Sequence, residues 1–211
     1  MSRTLTLPIF PLSGAILFPR SQLPLHIFEP RYREMVRDVI DGAGRIGMVQ
    51  PLRIDDDNKA PLYDVGCVGE IVGIEELEDG RFNIVLLGSN RFRLISEVGH
   101  EGSYRCANVD IAVFDDNEPE PLSIVERAEV EREARRLGDA MGLAVDWDAV
   151  SRLDDEMLVN AIAQVAPFDA GAKQALLEQP ALSGRADLLV QLMQFHRAAV
   201  SGGIEIEPTI Q

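Results

Sequence analysis

The fold of this chain is decided by an N-terminal stretch in which proline cuts short apolar runs. It reads Leu7-Pro8-Ile9-Phe10-Pro11-Leu12, then Leu17-Phe18-Pro19, then Leu23-Pro24-Leu25-His26-Ile27-Phe28-Glu29-Pro30-Arg31-Tyr32. Proline has no backbone N–H to donate to a β-ladder, so it is confined to strand ends, edge strands and bulges. The prolines at 8, 11, 19 and 24 therefore predict very short strands that bend often, as at the rim of a small barrel.

An amphipathic helix is predicted immediately afterwards, over about residues 30–41. Pro30 suits the first helical position, and Tyr32, Met35, Val36, Val39 and Ile40 recur at helical spacing. We expect this helix to plug the barrel. The alternative is that part of its face borders a binding groove, together with Tyr32 or Phe28.

The residue pattern in the rest of the first half is typical of β-strands. A short strand is predicted at Arg45–Val49, and further strands between residues 65 and 113. Asp79-Gly80 lies between two apolar runs and predicts a two-residue type I′ hairpin, and Gly88-Ser89-Asn90 predicts a second turn. Glycines at 66, 69, 73 and 88 would permit bulges and sharp coiling, so the spacing indicates a small, partly closed barrel.

The second half has the texture of helices. Ser123 and Glu126 form a capping-box pattern at the start of a helix that ends before Gly142. Three more amphipathic helices are predicted at about 154–165, after the cap Asp169, and at about 185–200. We therefore predict an α+β chain with a β-rich domain at 1–114, an acidic proline-containing linker at 115–122, a four-helix bundle at 123–203 and a tail at 204–211.

Charge excludes two classes of partner. The net charge is −15, with 12 Lys/Arg against 16 Asp/Glu in residues 1–110 and 8 against 19 in residues 111–211. Nucleic-acid backbones and anionic membranes are bound by basic surfaces, so we expect neither as a partner. There is no signal-peptide pattern and no apolar run near the roughly 20 residues that span a bilayer. A cytoplasmic location is expected.

Motifs for catalysis or metal binding are not found. The sequence has no phosphate loop, no dinucleotide fingerprint and no nucleophile elbow, and its three histidines stand far apart. Asp55-Asp56-Asp57 lacks the glycine and glutamate of an EF-hand loop, and Asp154-Asp155-Glu156 suits a helix N-terminus. Cys67 and Cys106 are expected to be buried, reduced thiols, and a disulfide between neighbouring strands is the alternative. We expect no cofactor and no metal.

The proline-punctuated stretch from Leu7 to Val36 resembles the stand-alone relatives of the N-terminal substrate-binding domain of Lon protease. Val68-Gly69-Glu70-Ile71 and the run from Asp79 through Phe92 also resemble that family, as does Lys173–Glu178 in the helical half. The resemblance covers about residues 5–195. It implies a PUA-like β pseudo-barrel with a helical bundle, and an activity of binding polypeptide or another protein without catalysis.

The resemblance implies no catalytic residues, and 211 residues leave no room for the ATPase and protease modules of full-length Lon. A role as an adaptor or regulator in protein quality control is the expectation. The junction between barrel and helix is where we expect a bound chain, and the candidate binding residues are Phe18, His26, Phe28, Arg31 and Tyr32.

Two other functions stay open at this point. A spatially assembled enzyme site could use Cys67 or Cys106 as its nucleophile. RNA binding is known for other PUA-like folds and would need Arg81, Arg91, Arg93 and Arg105 to cluster on one face, against the acidic net charge.

Overall fold

The computed structural model describes residues 3–53 and 59–201, and the chain divides into two compact units. Unit 1 comprises residues 1–117 and unit 2 residues 118–211, so the boundary lies within the predicted linker of residues 115–122. The predicted tail and Asp55-Asp56-Asp57 lie outside the described residues. In the part of the chain that is described, no helix is long and apolar enough to cross a membrane.

Unit 1 is a β-sheet with one helix. Its elements are β1 (Thr4–Pro11), β2 (Gln22–Ile27), α1 (Pro30–Ile40), β3 (Arg45–Val49), β4 (Val65–Glu76), β5 (Phe82–Val98) and β6 (Arg105–Asp110). The sheet order is β2-β5-β4-β3-β1-β6, and β5 pairs with β6 as well. This second pairing closes five strands into a ring and leaves β2 at the edge of the sheet.

The prolines occupy the places that their chemistry requires. Pro8 pairs with Cys106 of β6, and the pairing of β1 with β3 begins only at Ile9. Pro8 therefore lies where β1 has one neighbouring strand. Pro24 lies in the edge strand β2, and Pro11 ends β1.

The turn at Asp79-Gly80 differs from the prediction. β4 ends at Glu76 and β5 begins at Phe82, so the connection has five residues instead of two. Gly80 N donates to Leu77 O, and Gly80 alone in this connection has a positive φ, at 75°. A type I′ turn needs positive φ at both central residues, so the hairpin was predicted correctly but its turn type was wrong.

The predicted turn at Gly88-Ser89-Asn90 is also wrong, because these residues lie inside the continuous strand β5. Gly88 allows two backbone segments to approach each other closely. Arg20 N donates to Gly88 O at 2.8 Å, Gly88 N donates to Ser21 O at 2.9 Å, and a Cβ on Gly88 would overlap Phe18 O. Glycine is required here by space, and the strand continues through it.

Two apolar clusters lie on opposite faces of β1. Leu7 and Ile9 belong to a cluster built from strand residues and their flanking loops, whereas Phe10 belongs to a cluster that includes the buried face of α1. Among the described residues, α1 contributes to the Phe10 cluster alone. The helix therefore covers one face of the sheet, and the prediction that it plugs the barrel was wrong. Phe92 and its strand neighbours fill the other face.

Unit 2 is helical. Its elements are α2 (Ile124–Ala140), α3 (Trp147–Val150), α4 (Asp155–Val165), α5 (Ala170–Glu178) and α6 (Leu182–Ser201). The one-turn helix α3 was not predicted. α6 begins three residues before the predicted start, because Glu120 Oε2 accepts a hydrogen bond of 2.6 Å from Leu182 N and caps the first turn.

The predicted helix caps are confirmed. Ser123 and Glu126 form a complete capping box on α2, and Asp169 accepts from Ala172 N at the start of α5. Asp154 accepts from Met157 N and caps α4, which gives part of the acidic run the structural role that was predicted. Each cap satisfies a backbone N–H that has no partner within the helix.

Asp155 makes unit 2 sensitive to acid. Its carboxylate accepts from Arg127 at 2.6 Å and from Leu122 N at 2.8 Å, and the Arg127 hydrogen bond is the main reason that its pKa lies below the usual value of 3.8. A carboxylate with a lowered pKa stabilises the folded state above its ordinary pKa, and this contribution disappears as the pH falls through the folded-state value.

We expect Asp155→Asn to destabilise unit 2 at about pH 7 and to have a smaller effect near about pH 3, which is below the ordinary pKa of an aspartate carboxyl. Urea unfolding followed by the fluorescence of Trp147, the single tryptophan of the chain, measures this difference. Asp187→Asn, at an exposed position of α6, is the control and should unfold like the wild type at both pH values. An equal effect of Asp155→Asn at both pH values would contradict the expectation.

Candidate functional site

The site is the outward face of β2, β5 and the end of β4, which we call the outer sheet face. It consists of two rows of residues that lie opposite one another across the three strands. One row is Pro24, Val85 and Gly73, and the other is His26, Asn83 and Glu75. A groove of about 520 Å³ lies along these residues. Residues opposite one another on adjacent strands share a face, so strand register alone assembles the site.

The His26 row is a continuous hydrogen-bonded chain. His26 Nδ1 lies 2.8 Å from Asn83 Oδ1, and Asn83 Nδ2 donates to Glu75 Oε2 at 2.8 Å. Because Asn83 Oδ1 only accepts, His26 Nδ1 carries the proton, and His26 Nε2 accepts from Arg81 at 3.2 Å. The row therefore offers a fixed set of donors and acceptors, as needed to orient a polar backbone.

Asp79 supports the position of Arg81 at one end of this row. Its carboxylate accepts from Arg81 N at 3.1 Å and from Arg81 Nε at 2.6 Å. The pKa of Asp79 lies below 3.8, and the largest cause is the hydrogen bond from the Arg81 backbone. The hydrogen bond from the Arg81 side chain and the charge of its guanidinium lower the pKa further. The guanidinium is thus oriented toward His26 by a carboxylate from the neighbouring turn.

The Pro24 row is apolar and has a gap at Gly73. A Cβ at Gly73 would meet Val85 at 3.5 Å, which is ordinary contact, so a side chain could be placed there without a clash. Phe28 lies at one end of the face, 60% exposed, with its ring 6.2 Å from that of His26. Val72 and Ile74, which flank Gly73 on β4, are also exposed. An apolar row beside a polar row suits a ligand with both apolar side chains and peptide groups.

The predicted binding residues separate into exposed and buried groups. His26 and Phe28 are exposed and lie together, whereas Phe18 and Tyr32 are 0% and 4% exposed and belong to the core. Arg31 is half-buried, with its guanidinium 2.6 Å from Glu29 and 4.7 Å from the Tyr32 ring centre. Burial raises the pKa of Tyr32. Phe18 and Tyr32 are therefore inaccessible to a ligand in this structure.

Sequence reasoning missed Asn83, Glu75, Val85 and Gly73. The hairpin signal at Asp79-Gly80 showed that β4 and β5 pair, but the predicted two-residue turn would place Glu76 opposite Asn83. The observed five-residue connection places Glu75 there instead. A shift of one residue moves the side chains of a strand to the other face, so the predicted turn could not assemble this row. The opposition of His26 to Asn83 joins two strands that are far apart along the chain, and no turn signal connects them.

The two thiols lie in the core of unit 1. Cys67 and Cys106 are free and buried, as predicted, with exposures of 0% and 8%. Burial also raises the pKa of the Cys106 thiol. Nucleophilic cysteines are accessible and have a lowered pKa, so this environment does not support the alternative of a cysteine enzyme.

Three of the four arginines required for RNA binding are engaged with acidic groups. Arg91 is buried against Asp116, Arg105 pairs with Glu97 and Arg81 pairs with Asp79. These pairs neutralise the charge that a phosphate backbone would need. Within residues 3–53 and 59–201, no group of three or more His, Cys, Asp or Glu side chains could hold a metal ion.

Comparisons with known proteins agree on one family. The chain is 26% identical to the Lon protease of Anaeromyxobacter dehalogenans, and the match covers 97% of this chain and 25% of that protein. It is 27% identical to Lon protease 2 of Desulfotalea psychrophila, where the match covers 88% of this chain and 24% of that protein. It thus spans about a quarter of the length of these curated relatives.

Solved structures with the same fold include the N-terminal domain of a Mycobacterium avium complex Lon protease and a Lon N-terminal domain protein from Xanthomonas campestris. Both have a TM-score of 0.66. The Mycobacterium structure is 16% identical, and the match covers 91% of this chain and 100% of that one. The Xanthomonas structure is 20% identical, and the match covers 89% of this chain and 98% of that one. The family model of the substrate-binding domain of the ATP-dependent protease La (LON) matches residues 6–194. The chain therefore belongs to the LON substrate-binding domain family.

Proposed function

We propose that this chain is a non-enzymatic module that binds polypeptide segments of other proteins on the outer sheet face. The observation that carries the proposal is the placement of an apolar row and a polar row on the edge of the sheet, with the exposed ring of Phe28 beside them. Membership of a substrate-binding domain family supports the same function.

The chemistry of the face fits an extended segment. An edge strand such as β2 can pair with an added strand, and side-chain pockets then give specificity. Pro24 has no N–H to contribute, which restricts pairing along β2 and discourages strand-to-strand aggregation. The His26 row can hydrogen-bond peptide groups, and burial of an aromatic side chain such as Phe28 contributes about 1.5 to 3 kcal/mol.

The test is binding of a permanently unfolded, carboxymethylated protein by fluorescence anisotropy. Phe28→Ser should weaken binding by about tenfold, because an apolar contact worth about 1.4 kcal/mol is lost. Gly73→Val should also weaken binding, because its side chain fills the gap in the groove. The matched control is Leu52→Ser, which removes a similarly exposed apolar side chain of unit 1, 53% against 60%. Equal binding by Phe28→Ser, Gly73→Val and wild type would refute the proposal.

We further propose that the chain acts as an adaptor or regulator in protein quality control. Its relatives are Lon proteases, and a domain that binds unfolded segments can deliver them to a separate protease. Added to a Lon protease with an unfolded substrate, the wild-type chain should change the degradation rate and Phe28→Ser should not. The cytoplasmic location remains the prediction of the sequence.

At the level of fold class, we propose that unit 1 is a PUA-like pseudo-barrel and that unit 2 is a four-helix bundle with the short α3 added. Ring closure by the pairing of β5 with β6 supports the first assignment. Packing of α6 against α2, α4 and α5 supports the second. The proposed linker keeps residues 115–122, although Asp116 has a fixed place in unit 1.

A further inference from the structure

Unit 2 contains a second cavity, unrelated to the outer sheet face. It has a volume of about 580 Å³ and lies among α2, α3, α4, the start of α5 and Met193 of α6. Its walls include Leu137, Trp147, Ile162 and Phe168, and every lining residue except Lys173 is apolar or glycine. Ligand cavities in proteins typically measure about 300 to 1,000 Å³ and combine apolar walls with few polar groups, and this cavity fits both criteria.

Lys173 gives the cavity one positive charge. It is half-buried, and its Nζ donates to Gln164 O at 2.9 Å. Burial lowers the pKa of Lys173, so the ammonium is partly desolvated and a nearby anion would stabilise its charged form. Among the residues that line the cavity, Lys173 is the one with a charged side chain. An anionic group in this cavity would therefore be most favourably placed beside Lys173 Nζ.

The lining limits what the occupant can be. A peptide segment carries an N–H and a C=O at every residue, and burial of each without a partner costs free energy. A lining with a single ionic group fits a molecule that has one polar end and a long apolar body.

We propose that this cavity binds a single-chain amphiphile with a carboxylate head group, of the fatty-acid class. The apolar chain lies against Leu137, Ile162 and Phe168, and the carboxylate accepts a hydrogen bond from Lys173 Nζ. Val165 and Leu143 are 83% and 54% exposed where they line the cavity, so the cavity is open to solvent and a ligand can enter.

Trp147 reports directly on the site, because it lines the cavity and is the only tryptophan of the chain. Its ring lies under the Arg135 guanidinium at 4.7 Å and close to Gly138, where a Cβ would be 3.3 Å from Cζ2. A ligand beside the ring should shift its emission. The experiment is a fluorescence titration of the full chain with sodium dodecanoate below its micelle concentration, with dodecanol and dodecyltrimethylammonium as the neutral and cationic probes.

Dodecanoate should bind with one-to-one saturation, dodecanol more weakly, and the cation at least about tenfold more weakly. Lys173→Met keeps an unbranched side chain without the charge, so it should weaken dodecanoate binding by about tenfold and leave dodecanol binding unchanged. Ala161→Phe should fill part of the cavity and reduce binding of both. Thermal unfolding of each variant distinguishes lost binding from lost folding.

Val125→Ser is the matched surface control, since Val125 is 74% exposed on α2 and does not line the cavity. Absence of saturable dodecanoate binding by the folded wild type would overturn the proposal. Equal dodecanoate affinity in Lys173→Met and wild type, or equal affinity for the cation, would overturn the carboxylate assignment. Phe28→Ser should bind dodecanoate normally, so this proposal and the polypeptide proposal fail separately.

Discussion

Replacement of Asp116 by alanine is expected to lower the free energy of unfolding of unit 1 by about 3 to 5 kcal/mol, because it leaves a buried guanidinium without its counter-charge. Arg91 and Asp116 are 2% and 6% exposed, and their side chains meet at 2.8 Å. An isolated charge in such a site cannot be solvated by water.

The geometry of the pair explains the size of the effect. The Asp116 carboxylate accepts from Arg91 Nη2 at 2.8 Å, from Arg91 Nε at 3.0 Å and from Arg91 N at 2.7 Å. The guanidinium also lies over the Phe114 ring at 4.2 Å, and Arg20 Nη1 donates to the backbone O of Asp116 at 2.8 Å. The carboxylate therefore holds Asp116 against β5 through several hydrogen bonds, and its backbone carbonyl adds a bond to Arg20.

Asp115→Ala is the matched control, because it removes the same charge one residue earlier at an exposed position. It should change the stability by less than about 0.5 kcal/mol. Tyrosine absorbance can follow unit 1 in urea, since Tyr32, Tyr63 and Tyr104 all lie in it, while Trp147 reports on unit 2. A similar small effect of both substitutions would contradict the expected role of Asp116.

The burial of this ion pair could not be predicted from the sequence. Residues 115–121 contain no apolar side chain, and such a composition predicts a solvated linker. The prediction could not identify Asp116 as a buried residue, because its partner Arg91 is 25 residues away along the chain. Composition measures average polarity, whereas the burial of one carboxylate depends on a single tertiary contact.

Local signals were reliable where the responsible interaction is itself local. The capping box of Ser123 and Glu126 closes within four residues, and the Asp169 cap likewise needs only the next turn. The start of α6 was misplaced because its cap, Glu120, comes from 62 residues earlier. At the candidate site, His26 and Phe28 were found because they lie in one segment. Asn83 and Glu75 were missed because a five-residue connection, and not the predicted two-residue turn, sets the register of their strands.

The glycines of β4 give the second large expected effect. Gly66→Ala should destabilise unit 1 by about 3 kcal/mol, near the upper end for overpacking of a rigid core. A Cβ at Gly66 would overlap Met48 O and Phe92 Cζ, and neither can move easily. Met48 O belongs to the backbone of β3, and the Phe92 side chain is 0% exposed.

Gly73→Ala is the matched control on the same strand, because its Cβ would make only ordinary contact with Val85 at 3.5 Å. We expect it to be neutral, or to stabilise by about 0.4 to 1 kcal/mol through reduced freedom of the unfolded chain. Gly69→Ala should fall between the two, since its Cβ would meet the flexible end of Leu17 at 2.9 Å. Urea midpoints in the order Gly73→Ala, Gly69→Ala, Gly66→Ala from highest to lowest are therefore expected. Equal midpoints would contradict this expectation. They would mean that the glycines serve backbone bending alone, as their spacing predicted, because bending does not require that the volume of a Cβ be left empty.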